Sequence, residues 1–121
     1  MSDELTGKII GAAIEVHREL GPGLLESIYE EAMVIELGLQ SIPFERQKAV
    51  DVFYKGHVIK GQRLDLLIGG EVVLEIKSVR KLEDVFVAQV LSYLKSTKLK
   101  RGLLINFGVE RLVGGIKRLS L

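Results

Sequence analysis

Arg63-Leu64-Asp65-Leu66-Leu67-Ile68-Gly69-Gly70-Glu71-Val72-Val73-Leu74-Glu75-Ile76-Lys77 is the stretch on which the fold turns. It reads as two strands, 62–68 and 72–77, joined through Gly69-Gly70-Glu71. Side chains alternate faces along a strand, and directly opposed residues of an antiparallel pair share a face. A two-residue turn at Gly69-Gly70 would set Asp65 against Leu74 and Glu75 against Leu64, mixing charge with apolar groups on each face. A three-residue loop sets Asp65 against Glu75, Arg63 against Lys77 and Leu67 against Val73. The other face then carries Leu64, Leu66, Ile68, Val72, Leu74 and Ile76, all apolar. One residue of slip would take that whole set off the core, so patterning selects the three-residue loop, although its third position would prefer glycine to Glu71.

That register leaves two carboxylates about 5 Å apart between Cβ atoms, with Lys77 on the same face. Neighbouring carboxylates repel unless a cation sits between them, and hard divalent ions such as Mg²⁺ take oxygen ligands. An adjacent lysine could orient a water or offset charge developing on a phosphoryl group. The same four charged residues also read as solvated cross-strand ion pairs on the wet face of an antiparallel sheet.

Outward from this hairpin the chain is helical at both ends of its first half. Leu5, Ile9, Ala13, Val16 and Leu20 recur at helical spacing and predict a helix over 3–20, stopped by Gly21-Pro22-Gly23. A second helix is expected over 24–37, with Gly38 as terminator and Glu30, Glu31 and Glu36 mostly off its apolar face. Residues 44–59 read as a separate hairpin turning at Lys55-Gly56-His57. A helix over 82–98 and a strand buried on both faces over 102–107 follow. The tail, 109–121, reads as a strand pair about Gly114-Gly115. The order α-α-β-β-β-α-β with a C-terminal strand extension makes an α/β domain, bordering on α+β, with one sheet.

At 121 residues, with 47% hydrophobic and 27% charged, the chain is expected to be one globular domain, 1–121. Lacking an apolar run of bilayer length or a basic leader, it is expected to be cytoplasmic with no membrane association. Absent cysteine excludes thiolate chemistry and sulfur-ligated metals, and two histidines 40 positions apart disfavour a His-rich site. The net charge of +1 divides into −4 for residues 1–60, from 6 basic and 10 acidic, and +5 for 61–121, from 11 and 6. Lys77, Arg80, Lys81, Lys95, Lys98, Lys100 and Arg101 all fall in the basic half. Such a cluster can bind phosphates, although Lys-rich helix ends are usually just solvated.

Asp65 followed by Glu75-Ile76-Lys77 resembles the signature of the PD-(D/E)XK nuclease superfamily. Gly23-Leu24-Leu25-Glu26-Ser27-Ile28-Tyr29 reads as G-x-x-E-x-x-Y and resembles the motif naming the GxxExxY family within it. The resemblance extends from Val16-His17-Arg18-Glu19-Leu20-Gly21 through Gln89-Val90-Leu91-Ser92-Tyr93-Leu94-Lys95 to Leu103-Leu104-Ile105-Asn106-Phe107-Gly108. It implies a restriction-endonuclease-like core, a central four-stranded mixed sheet flanked by helices. It further implies Asp65, Glu75 and the helix-borne Glu26 as ligands of Mg²⁺ or Mn²⁺ and Lys77 as the catalytic lysine. Gln89 and Tyr93 would match the Q-x-x-x-Y of RecB-like nucleases and complete the catalytic set. The sequence departs from the pattern at Val85-Phe86-Val87-Ala88, which holds no histidine, and at Gly61-Gln62-Arg63-Leu64, which holds no proline before the aspartate.

Spacing places Glu26 with Tyr29, and Gln89 with Tyr93, on common helix faces, so that both pairs can point at one site. Taken singly, Tyr29 and Tyr93 read as half-buried packing residues with wet hydroxyls, and Gln89 as a cap on strand-edge backbone. Glu26 reads equally as a first-turn acid complementing the helix dipole, and His17 as a structural imidazole. The leading expectation is a divalent-metal-dependent nuclease acting on nucleic acid, DNA ahead of RNA. The alternatives are a non-catalytic nucleic-acid or protein-interaction module on the same fold, or a subunit active only as a homodimer or with a partner protein.

Overall fold

The computed structural model describes residues 3–121. Helices α1 (Asp3–Leu20) and α2 (Glu26–Leu39) precede strands β1 (Phe44–Tyr54), β2 (His57–Ile68) and β3 (Val72–Lys77). Helix α3 (Asp84–Thr97), strand β4 (Arg101–Asn106), a 3₁₀ turn at Leu112–Gly115 and strand β5 (Ile116–Ser120) complete the chain. The five strands form one mixed sheet in the order β1-β2-β3-β4-β5, with β3 and β4 parallel and the other neighbours antiparallel. Both its faces are covered, α1 and α2 packing on one and α3 on the other. No helix among the described residues is long and apolar enough to cross a membrane.

The register of the deciding hairpin is the one that patterning selects: Ile68 opposes Val72, Leu67 opposes Val73 and Leu66 opposes Leu74. Gly69 (φ 61°) and Gly70 (φ 69°) take the left-handed conformations of the loop, so Glu71 needs none. The ladder stops there, however, and Arg63 does not pair with Lys77; it pairs with Ala49 of β1.

Several boundaries differ from the sequence expectation. The strands expected to end near 59 and begin at 62 are one strand, because β1 and β2 stay paired across a register shift between Val50 and Val52. Gly38 lies inside α2, which runs on to Leu39. Helix α3 begins at Asp84 and ends at Thr97, where Lys98 turns left-handed (φ 62°). The tail holds a 3₁₀ turn and one strand rather than a strand pair, since β4 offers a free edge for it to join.

The apolar face is also not continuous. Leu66, Ile68, Val72, Leu74 and Ile76 pack with α1 and α2, whereas Leu64 packs on the α3 side with Val50, Leu67 and Leu94. The change of side falls at Asp65, where the opposing β1 residue, Gln47, is left-handed (φ 48°) and drops out of the ladder. Neither face is open, so the carboxylates do not sit on a wet sheet surface.

The segment after Lys77 is clamped by Asn106, which is fully buried at the end of β4. Its Oδ1 accepts from Val79 N (3.0 Å) and Gly108 N (2.9 Å), and its Nδ2 donates to Val79 O (2.9 Å). A Cβ on Gly108 would lie 2.7 Å from Val79 N and closer still to its carbonyl oxygen, and backbone cannot swing aside as a side chain can. Gly108→Ala is therefore expected to cost about 1–3 kcal/mol, read as a lowered midpoint in urea with an unchanged slope.

Candidate active site

Where the β2–β3 ladder ends, two side chains take over its hydrogen bonds. Glu75 Oε1 accepts from the amide of Asp65 (2.8 Å), and Asp65 Oδ2 accepts from the amide of Ile76 (2.8 Å). The exchange fixes both carboxylates between the strands and leaves each with a second oxygen. Glu75 is buried, 3% exposed, and Asp65 is half-buried.

Burial, then the Asp65 charge, pushes the Glu75 carboxyl up to about 8. Burial likewise raises Asp65, as do the charges of Glu30 and Glu26, while the Ile76 amide and Lys77 pull it down. Glu75, the more deeply buried, is the member of the pair that retains a proton. A native carboxyl titrating above its unfolded value binds protons more tightly when folded, so stability is lost as pH rises from about 4.5 to about 8. In chelator, Glu75→Gln is expected to melt at least about 5 °C above the unsubstituted chain at pH 8.5, the gap closing near pH 4.5. Equal melting temperatures at both pH values would overturn this.

Lys77 closes β3 beside the pair, its Nζ 4.6 Å from the centroid of the Phe86 ring on α3. Tyr93, 2% exposed, donates its hydroxyl to the Arg63 carbonyl (3.0 Å), two residues before Asp65. Burial, with the charges of Glu75 and Asp65, pushes its phenol up to about 12, and Gln89 hydrogen-bonds the same oxygen. Its hydroxyl is not wet, contrary to expectation, but spent on backbone.

Glu26 heads α2, exposed, with Oε2 accepting from Ser78 N (3.3 Å); Ser78 Oγ donates to Leu24 O (2.6 Å). This latch joins the start of α2 to the residue after Lys77. Tyr29 does not reach the site. It is fully buried, stacked on Phe107 with centroids 4.6 Å apart, and its hydroxyl donates to Gly21 O and accepts from Leu24 N (3.2 Å). The tyrosine of G-x-x-E-x-x-Y thus holds the Gly21–Gly23 turn, and Gly21 (φ 70°) and Gly23 (φ 101°) supply its left-handed backbone. His17 is structural as expected, its Nε2 2.8 Å from Val109 O.

Two site residues escaped the sequence reading. Glu30, 9% exposed, binds Arg46 (3.2 Å) and Gln47 (2.9 Å), and Gln47 Nε2 reaches Asp65 Oδ1 at 3.5 Å. The sequence sets Glu30 mostly off the apolar face of α2 and gives it no role, yet it stands four residues from Glu26, one turn along the same side. Gln47 left no sequence signal, because its part follows from its left-handed backbone.

The donor set is entirely oxygen, which suits a hard divalent cation. Among the described residues no three His, Cys, Asp or Glu side chains stand together in position to hold a metal. Mg²⁺ commonly uses one or two carboxylates and keeps several waters, so the Asp65–Glu75 pair fits it in number and kind. A cavity of about 670 Å³ elsewhere, against Leu5, Lys8, Ser41 and Ile42, includes none of these residues.

The family model described as the PD-(D/E)XK nuclease superfamily matches residues 3–119. No curated protein and no solved structure matches the chain.

Proposed function

Because the chain belongs to the PD-(D/E)XK nuclease superfamily, we propose that it is a divalent-metal-dependent nuclease hydrolysing phosphodiester bonds in DNA or RNA. The observation that carries this reading is the reciprocal hydrogen bonding of Asp65 and Glu75 beside Lys77. A buried and a half-buried acid at the end of a broken ladder, held by amides and raised in pKa, are costly to keep without a cationic partner. Asp65 and Glu75 would hold Mg²⁺ or Mn²⁺, with Glu26 as the further carboxylate of the set; when bound, the cation supplies Lewis acidity toward the phosphoryl oxygens.

The chain's own groups supply the rest. Lys77 presents an ammonium to the phosphate, offsetting charge as it builds on the phosphoryl oxygens, and holds a proton at Nζ for transfer. Phe86 beneath it restricts where that ammonium rests. Tyr93 is a positioning residue, since its proton is committed to the Arg63 carbonyl, and it fixes β2 just ahead of Asp65. Gln89 supports that hydroxyl.

The test is incubation of the purified chain with single- and double-stranded DNA and RNA in Mg²⁺, in Mn²⁺ and in chelator. Cutting in metal and none in chelator is the expected result. Survival of every substrate in both metals would overturn the reading, and retention of nucleic acid without cutting would assign the chain as a non-catalytic binding module.

A further inference from the structure

Next to Lys77, on the α3 side of the sheet, lies an open cavity of about 490 Å³ whose Gln62 and Val85 walls have no part in the chemistry proposed above. Val85 and Phe86 of α3 line it, with Gln62 of β2 and Gln89 of α3 supplying amides and Lys77 a cation. Two independent features mark it as built to receive something. Val85 is 65% exposed and Phe86 only half-buried, so α3 keeps apolar surface here at its solvent-facing start. Gln62 Oε1 is buried and accepts no hydrogen bond, whereas buried acceptors are nearly always satisfied.

An apolar and aromatic wall suits the π-face of a ring, amides suit polar ring edges, and the cation suits a phosphate attached to that ring. A nucleotide combines the three, and the volume lies within the range of small-ligand pockets. A paired base has its edge occupied and both faces stacked, so it cannot present them here without leaving the duplex. We propose that this cavity receives one unpaired nucleobase beside the phosphodiester at Lys77, which makes single-stranded nucleic acid the substrate; the inference rests on the nuclease reading above. Gln62 and Phe86 are then binding residues, the Gln62 amide turning toward the cavity so that its carbonyl oxygen, buried in the free protein, meets a base N–H.

The test uses a short single-stranded DNA carrying one 2-aminopurine, and a duplex with the same label, titrated with the full chain in chelator so that nothing is cut. The label in the single strand is expected to change emission saturably and the label in the duplex not to respond. Phe86→Leu and Gln62→Met are each expected to weaken single-strand binding roughly tenfold or more, the scale of one stacked base. Should the Phe86 variant fail to fold in a melting scan, the Gln62 variant carries the comparison. Equal response of strand and duplex, binding without any change of the label, no binding of either, or variants that bind like the unsubstituted chain would each overturn the proposal. Metal-dependent cutting of duplex without a response here would sink the cavity proposal and leave the nuclease reading standing; a response without cutting in any metal would do the reverse.

Discussion

Lys77→Met is expected to lower the rate of phosphodiester cleavage by about 10²–10⁴-fold, the usual worth of a positioned group that moves or holds a proton in the transition state. Methionine keeps an unbranched apolar stem over Phe86, so folding should survive the change. The loss should fall in kcat with KM little altered, because the ammonium meets its largest partner charge only as the phosphoryl group accumulates it. Binding in chelator, where no cutting occurs, should change far less than the rate. A variant that cuts at the unsubstituted rate would remove Lys77 from the chemistry, and one that loses affinity and rate in equal measure would reduce it to a phosphate anchor.

Asp65→Asn is expected to be about as damaging, on the order of 10³-fold, since several kcal/mol of charge stabilisation rest on the cation that the pair would hold. Asparagine retains an oxygen that can accept from the Ile76 amide, so the local link between the strands is kept and only the charge is lost. The diagnostic readout is the Mg²⁺ dependence: the concentration for half-maximal rate should rise at least about tenfold, a shift that a merely structural residue would not produce. Unchanged Mg²⁺ dependence would exclude Asp65 as a ligand. Melting of this variant in chelator should be no lower than that of the unsubstituted chain, because a charge in a crowded acidic site has been removed.

Much of the frame behind these expectations is written locally. Alternation of apolar residues along 66–68 and 72–76 admits one hairpin register, and continuing that register brings Asp65 to Glu75, where their side chains take over from the ladder. Helical spacing along α1 and α3 likewise reads directly from residue order, since the period is a property of adjacent turns. Legibility stops where geometry comes from contacts far apart in the chain. Leu64 belongs by parity with Leu66, yet the strand turns over at Asp65 because Gln47, 18 residues earlier, is left-handed.

The sequence by itself determined the pairing of the two carboxylates, the placement of Lys77 two residues beyond Glu75, and the order of helices and strands, because side-chain period and turn residues act over a few positions. Only the tertiary structure decided the rest. Docking of α2 against the sheet brought Glu30 toward Asp65 through Gln47 and set Ser78 on Glu26, 52 residues away. It also turned the Tyr29 hydroxyl inward to the Gly21 carbonyl, away from the site. Burial on both faces of the sheet then raised the two acids, since a carboxylate loses its hydration only when distant elements close over it.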